Sequence, residues 1–116
     1  MQDKGSLYVI SVASRLLALH PQTLRKYERA GFVAPSRTEG NLRLYSPEDL
    51  ALLRQVKQLV EAQGVNLAGV EIALAVTRMA EHLLEASETL PARALRHEVQ
   101  GTVAQMLEIL GRVSSE

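Results

Sequence analysis

The side chains of this sequence best suited to chemistry are hydrogen-bond donors, and they crowd into one short stretch. Between Pro21 and Gly31 stand Gln22, Thr23, Arg25, Lys26, Tyr27 and Arg29. Arginine and lysine reach phosphate oxygens and guanine edges, glutamine pairs bidentately with adenine, and a tyrosine hydroxyl anchors a phosphate. Arg37 and Arg43 follow on either side of a Gly40-Asn41 turn, with Tyr45 two residues further on. Both arginines are spaced to lie along a phosphate backbone. The candidate nucleic-acid contacts are therefore Gln22, Thr23, Arg25, Lys26, Tyr27, Arg37, Arg43 and Tyr45. The competing reading is an ordinary solvated helix face with Tyr27 in the core. Other chemistry finds little purchase. The absence of cysteine removes disulfides, thiolate metal sites and thiol nucleophiles together. His20, His82 and His97 offer no i, i+4 ligand pair. There is no phosphate-binding glycine loop and no Ser/His/Asp set at usable positions. Glu48 and Asp49 are adjacent, so on a helix they point apart, and capping explains them. Neither an enzyme, a metal site nor a cofactor is expected.

These donors need elements to position them. Ser11 precedes Val12, Ala13, Leu16 and Leu17, which predicts a short helix from Val12 to Leu19 with Ser11 as its N-cap. Pro21 suits the first position of a second helix, which runs to about Ala30 and is closed by Gly31. Leu24 and Ala30 are expected to face inward. Two short helices joined by a tight turn make a helix-turn-helix. Phe32-Val33 opens an extended segment, and residues 35–41 supply turn chemistry. Leu42 and Leu44 alternate with Arg43 and Tyr45, so a small hairpin is predicted, a wing beside the helices. Ser46-Pro47-Glu48-Asp49 opens a third helix with the stripe Leu50, Leu53, Val56, Lys57 and Val60, ending near Gly64.

Asn66 caps a fourth helix from Leu67, along which Ile72, Val76, Met79, Leu83, Ala86 and Leu90 recur at alternating spacings of four and three. Pro91 stops or kinks it. A last helix carries Val99, Val103, Met106, Leu110 and Val113 in the same rhythm. Such a period of 3.5 asks for a partner helix. Ile72, Val76, Met79, Leu83 and Leu90 are accordingly the expected homodimer contacts, with packing of the two helices on each other as the alternative.

The 116 residues amount to about one domain's worth of chain, and 47% apolar with 22% charged residues describes a chain that folds. The net charge of zero conceals an asymmetry. Residues 1–60 hold nine basic and five acidic side chains, a balance of +4, which leaves four basic and eight acidic for residues 61–116. A basic half suggests a polyanion partner, with chance and solvated faces as the plain alternative. The sequence shows neither a membrane span nor the apolar run of a signal peptide, so a cytoplasmic protein is expected.

Taken in order, the helix-turn-helix with Thr23-Leu24-Arg25-Lys26-Tyr27-Glu28-Arg29-Ala30-Gly31, then Val33-Ala34-Pro35-Ser36-Arg37, then Gly40-Asn41-Leu42-Arg43-Leu44-Tyr45-Ser46, resembles the MerR family of bacterial transcription regulators. The resemblance covers roughly residues 7–75. Within it, residues 8–13, 20–25 and Gly64-Val65-Asn66-Leu67-Ala68-Gly69-Val70 are similar to the heat-shock repressors of that family. The implied fold is mainly α: a winged helix-turn-helix DNA-binding domain over residues 1–75, followed by C-terminal dimerisation helices over 76–116. The implied function is repression of chaperone genes by a homodimer on an inverted-repeat operator, with the Hsp70 chaperone DnaK as corepressor and the bacterial nucleoid as the place of action. By the same resemblance Thr23, Leu24, Arg25, Tyr27 and Arg43 carry DNA contacts. Base reading then falls to Gln22 and Lys26, while Arg25, Tyr27, Arg37 and Arg43 hold phosphates. Leu42 departs from the aromatic that many relatives have in the wing, and His20 from their small capping residue. The scaffold also occurs in chaperone-modulating proteins that need no DNA, but Arg25, Lys26, Arg37 and Arg43 together argue against that class. The tail after Pro91, with Leu95, Val99, Met106 and Leu110, offers either a chaperone-binding surface or core.

Overall fold

The computed structural model describes residues 6–111, so Asp3, Lys4, Arg112 and Glu116 of the charge count and Val113 of the second seam lie outside the described residues. The chain is mainly helical and divides into two compact units after Leu67.

The first unit begins with a strand that periodicity alone did not reveal. β1, Tyr8–Val9, pairs antiparallel with β3, Arg43–Tyr45, in the register Tyr8↔Tyr45 and Val9↔Leu44. The first helix, α1, therefore starts directly off the strand and runs Ile10–Leu17. Ser11 falls inside it rather than capping it, and extended Val9 occupies the cap without a side-chain bond. Strand pairing of Tyr8 and Val9 has overridden the local capping preference.

α1 and α2, Pro21–Arg29, end in the same way. At α2, Phe32 N–H donates to Tyr27 O and Gly31 N–H to Glu28 O, both at 3.0 Å, with Gly31 at φ +85°. This is the Schellman closure, and the expected contact across it is present as the Tyr27 and Phe32 rings, 6.0 Å apart. Leu24 and Tyr27 are buried, as are Phe32 and Val33, while Ala30, expected inward, is exposed because the closure turns it out. At α1 the equivalent bonds run from Leu19 N–H to Ser14 O at 3.0 Å and from Ala18 N–H to Arg15 O at 3.3 Å. Here the left-handed position, φ +54°, is held by an alanine.

The wing is the predicted hairpin. β2, Ser36–Arg37, pairs antiparallel with β3, so the sheet order is β1-β3-β2. Its turn is fastened by Thr38, whose N–H donates to Leu42 O at 3.0 Å and whose Oγ1 accepts from Leu42 N–H at 3.1 Å, with Asn41 left-handed at φ +67°. α3, Pro47–Lys57, opens on a full capping box: Asp49 N–H donates to Ser46 Oγ at 3.0 Å and Ser46 N–H to Asp49 Oδ2 at 2.9 Å. Leu50, Leu53 and Val56 of its stripe are buried. A π turn, Gln58–Ala62, carries the chain to left-handed Gly64. From α3, Lys57 Nζ donates to Leu17 O at 2.8 Å and more weakly to Ala18 O, so a cation meets the negative end of α1.

The second unit, residues 68–116, holds most of α4, Leu67–Thr89, and all of α5, Ala92–Ile109. Pro91 ends the run as expected and becomes the N-cap residue of α5. His82 Nε2 of α4 lies 3.0 Å from Glu98 Oε2 of α5. The buried side chains are Val70, Leu74 and Ala86 on α4 and Thr102 on α5. Among the described residues of the two seams, only Ala86 is buried. Ile72, Leu90, Val99, Val103 and Leu110 are exposed, and Val76, Met79, Leu83 and Met106 are half-buried.

Ala18 generates a direct prediction. A left-handed alanine sits about 1 kcal/mol or more above a glycine in that position, and the Ala18 side chain is exposed and leaves no packing behind. Ala18→Gly is expected to stabilise the first unit by about 1 kcal/mol, visible as a rise of a few degrees in thermal unfolding. A fall in melting temperature would show that the helix-turn-helix turn is not under this strain.

Candidate nucleic-acid interface

The turn into α2 is capped by an unusual residue. His20 Nδ1 accepts from Gln22 N–H at 3.0 Å, so the histidine does the work of the small capping residue, and Pro21 at the first position fixes the entry of the chain. From there the helical period sorts the side chains. Leu24 and Tyr27 turn into the core; Gln22, Arg25, Lys26 and Arg29 stand at i, i+3, i+4 and i+7 on one face. Gln22, Lys26 and Arg29 are exposed, and Thr23 and Arg25 half-buried. The face offers one amide and three cations able to engage base edges and phosphate oxygens.

The wing brings its two arginines to the same place by strand register. Arg37 of β2 and Arg43 of β3 are directly opposed across the antiparallel pair. Like charges in that position repel. Between them sits Glu28, from the last turn of α2. Its Oε2 accepts from Arg37 Nη2 at 2.7 Å and its Oε1 from Arg43 Nε at 2.6 Å. Arg37 Nη1 continues to the wing tip, 3.4 Å from both the carbonyl and the Oδ1 of Asn41. A hydrogen-bonded path therefore runs from the recognition helix through Arg37 to the tip. Burial alone would raise the Glu28 carboxyl, but the bonds from Arg43 and Arg37 and their charges hold it below the usual carboxylate range, so it is an anion at neutral pH.

All eight candidate residues fall on α2 and the wing, but Arg37 and Arg43 are engaged by Glu28 and both tyrosines are buried. Tyr27 is 3% exposed, and burial, with the Glu61 charge second, pushes its phenol up. Tyr45 is fully buried, its phenol raised by burial and then by the Glu28 charge, and its hydroxyl has no hydrogen-bond partner among the described residues. The strand alternation that puts Arg43 outward puts Tyr45 into the core, away from the surface that a DNA contact needs. Glu28 was missed altogether. The signal available for it was a lone acid in a helix of donors, but its partners lie nine and fifteen residues away and no local pattern joins them.

Comparison with known proteins now decides the family. Residues 8–76 match the model of the MerR HTH family of regulatory proteins. The chain belongs to the MerR family of helix-turn-helix transcription regulators. It is 54% identical over 71 residues to a Streptomyces coelicolor protein named for heat shock, HspR, a match covering 61% of this chain and 47% of that protein. The chain thus spans about half the length of this relative. It is also 34% identical over 110 residues to the HTH-type transcriptional regulator GlnR of Bacillus anthracis, covering 87% of this chain and 84% of that one. Among solved structures it is similar to HiNmlR, a MerR family regulator lacking the sensor domain, bound to promoter DNA, with a TM-score of 0.58 and 21% identity over 90% of this chain and 79% of that one. At that identity the likeness speaks for the fold. MerR family proteins are regulators and not catalysts, and no group of three or more metal-ligating side chains is found among the described residues. Nor is any helix among them long and apolar enough to cross a membrane.

Removing an unpartnered buried hydroxyl discards a desolvated group without breaking a bond, so Tyr45→Phe should be neutral or stabilising by about 1 kcal/mol and leave affinity for duplex DNA unchanged. Weaker duplex binding by a variant whose melting temperature is intact would return Tyr45 to the contact surface.

Proposed function

We propose that this MerR family chain is a repressor of heat-shock chaperone genes that binds an inverted-repeat DNA operator as a homodimer, with the Hsp70 chaperone DnaK as corepressor. The observation that carries the heat-shock assignment is the 54% identity to HspR over 71 residues. The geometry supports the DNA part independently: one helix face with Gln22, Arg25, Lys26 and Arg29, flanked by a wing that carries Arg43. In this reading Gln22 and Lys26 read base edges, while Arg25 and Arg43, with Thr23 near the helix start, hold phosphates. Tyr27, being buried, acts by fixing the helix.

A dimer follows from the half-site logic of such regulators, because two copies must be held at a fixed spacing on a two-fold operator. Ile72, Val76, Met79, Leu83 and Leu90 are the proposed contacts. Their support is that apolar side chains as large as Ile72 and Leu90 stand 42% and 37% exposed in the isolated chain. Heat then enters through the chaperone partner or through loosening of the protein itself, since the sequence holds no cysteine and the described residues hold no metal cluster.

Two measurements test this. Fluorescence anisotropy on a duplex carrying a chaperone-operon inverted repeat should show binding that tightens with added DnaK. Arg25→Ala should lower the log-log salt slope by about one, and Gln22→Ala or Lys26→Ala should narrow the gap between operator and random duplex. Absence of salt-dependent duplex binding would favour a protein-binding chaperone modulator on the same scaffold. Val76→Asp, which places a charge in the proposed seam, should give monomers in sedimentation and lose operator binding; a stable, operator-bound dimer would overturn the seam.

A further inference from the structure

The contact between Glu28 and the wing goes beyond holding the fold. Arg43 donates to Glu28 through Nε alone, which keeps the donors of both Nη groups for another acceptor. Arg37 is committed differently: Nη2 goes to Glu28, Nη1 to Asn41, on a side chain one-third exposed. The two arginines face each other across the hairpin, where without an anion they would push apart. The strands concerned are two and three residues long, too short to fix a side-chain direction by their own ladder.

We propose that Glu28 and Arg37 together form a positioning brace for Arg43, the first bridging the recognition helix to the wing and the second tying that bridge to the wing tip, so that Arg43 alone meets the nucleic-acid backbone. The inference rests on the DNA-binding reading above and divides the labour of the wing arginines that sequence alone treats as equal. An arginine held through Nε by a fixed carboxylate presents its remaining fork already oriented, and the ordering that docking would otherwise require is done beforehand. A carboxylate beside a phosphate-binding surface is otherwise a liability, since it repels the polyanion. Its presence here is explained by what it holds.

Charge and position can be separated by one variant. Glu28, Arg37 and Arg43 sum to +1; Glu28→Gln with Arg37→Gln keeps that sum, leaving Arg43 as the single charge. If the pair acts through charge alone, the double variant binds as the parent does. If it positions Arg43, affinity for duplex falls about tenfold at a given salt concentration. Glu28→Gln alone, which adds net positive charge, should weaken binding too, whereas a repulsive bystander would make binding tighter when removed. The DNA-free readout is amide hydrogen exchange of the wing, residues 36–45. Both Glu28→Gln and Arg37→Gln, which cuts the same bond from the wing side and leaves α2 untouched, should speed it about fivefold or more, with exchange in α3 unchanged. Parent-like affinity of the double variant, tighter binding by Glu28→Gln, or unaltered wing exchange would each overturn the brace. A parent protein that binds no duplex at all would instead remove the DNA reading, and the exchange arm would still decide whether the brace exists.

Discussion

Two guanidinium groups set opposite each other on a hairpin of two- and three-residue strands need an anion between them, and the geometry of this regulator's first unit is arranged to supply one. The anion is Glu28, and it can sit there only because α2 ends where it does. The Schellman closure at Gly31 turns the chain back through Phe32 and Val33, both buried, so that β2 begins beside the last turn of the helix it has just left. On the other flank β1 pairs with β3 and the Ser46 capping box begins α3 at the strand's end. The wing is thereby fixed by backbone pairing on one side and by a single carboxylate on the other. An exposed ion pair is worth little; this carboxylate is only 21% exposed and satisfies two donors, which makes it worth more than a solvated pair.

The second unit obeys a different constraint. Its helices carry apolar side chains at a spacing of 3.5, yet what the chain buries on them is Val70, Leu74 and Ala86 on α4 and only Thr102 on α5. Of those buried positions only Ala86 belongs to the seam. The other described seam residues are left half-buried or exposed, among them Val99 at 39%, Val103 at 40% and Leu110 at 59%. Leaving that much apolar surface in water is unfavourable by roughly 25 cal/mol per Å², so the period and the exposure agree in marking an apolar face on these helices.

Legibility from sequence tracked how local each signal is. The entry of α2 at Pro21 and its stop at Gly31, the Ser46-Pro47 start of α3 and the break at Pro91 were readable because proline, glycine and a capping serine act within one turn. The wing was readable from strict alternation around Gly40-Asn41. What failed was non-local. β1 is too short to show a period and exists only because β3 lies beside it; once formed, it displaced the Ser11 cap. The burial of Tyr45 is not legible from sequence, because alternation tells which residues share a face but not which face is inside. Glu28 needed knowledge of which two strand positions would face each other, and that register is set by the turn and not by any motif.

The departures from ideal local chemistry in this chain gather in the elements that aim the recognition face. Ala18 occupies a glycine-type backbone position between α1 and α2. Lys57 partly offsets this by bonding the carbonyls at that turn from α3. His20 caps α2 through Nδ1, with a bulky imidazole where a small hydroxyl or amide side chain is the preferred cap. Tyr45 places an unpartnered hydroxyl at the base of the wing. Each is a matter of about 1 kcal/mol, small alone, but a domain is held by only about 5–15 kcal/mol. The capping box of α3 and the buried stripe Leu50, Leu53 and Val56 show no such compromise. Stability is therefore concentrated in the supporting helix and thinned in the turn, the cap and the wing. The orientation of the donor face is accordingly the property most easily altered by temperature, by substitution or by a bound partner.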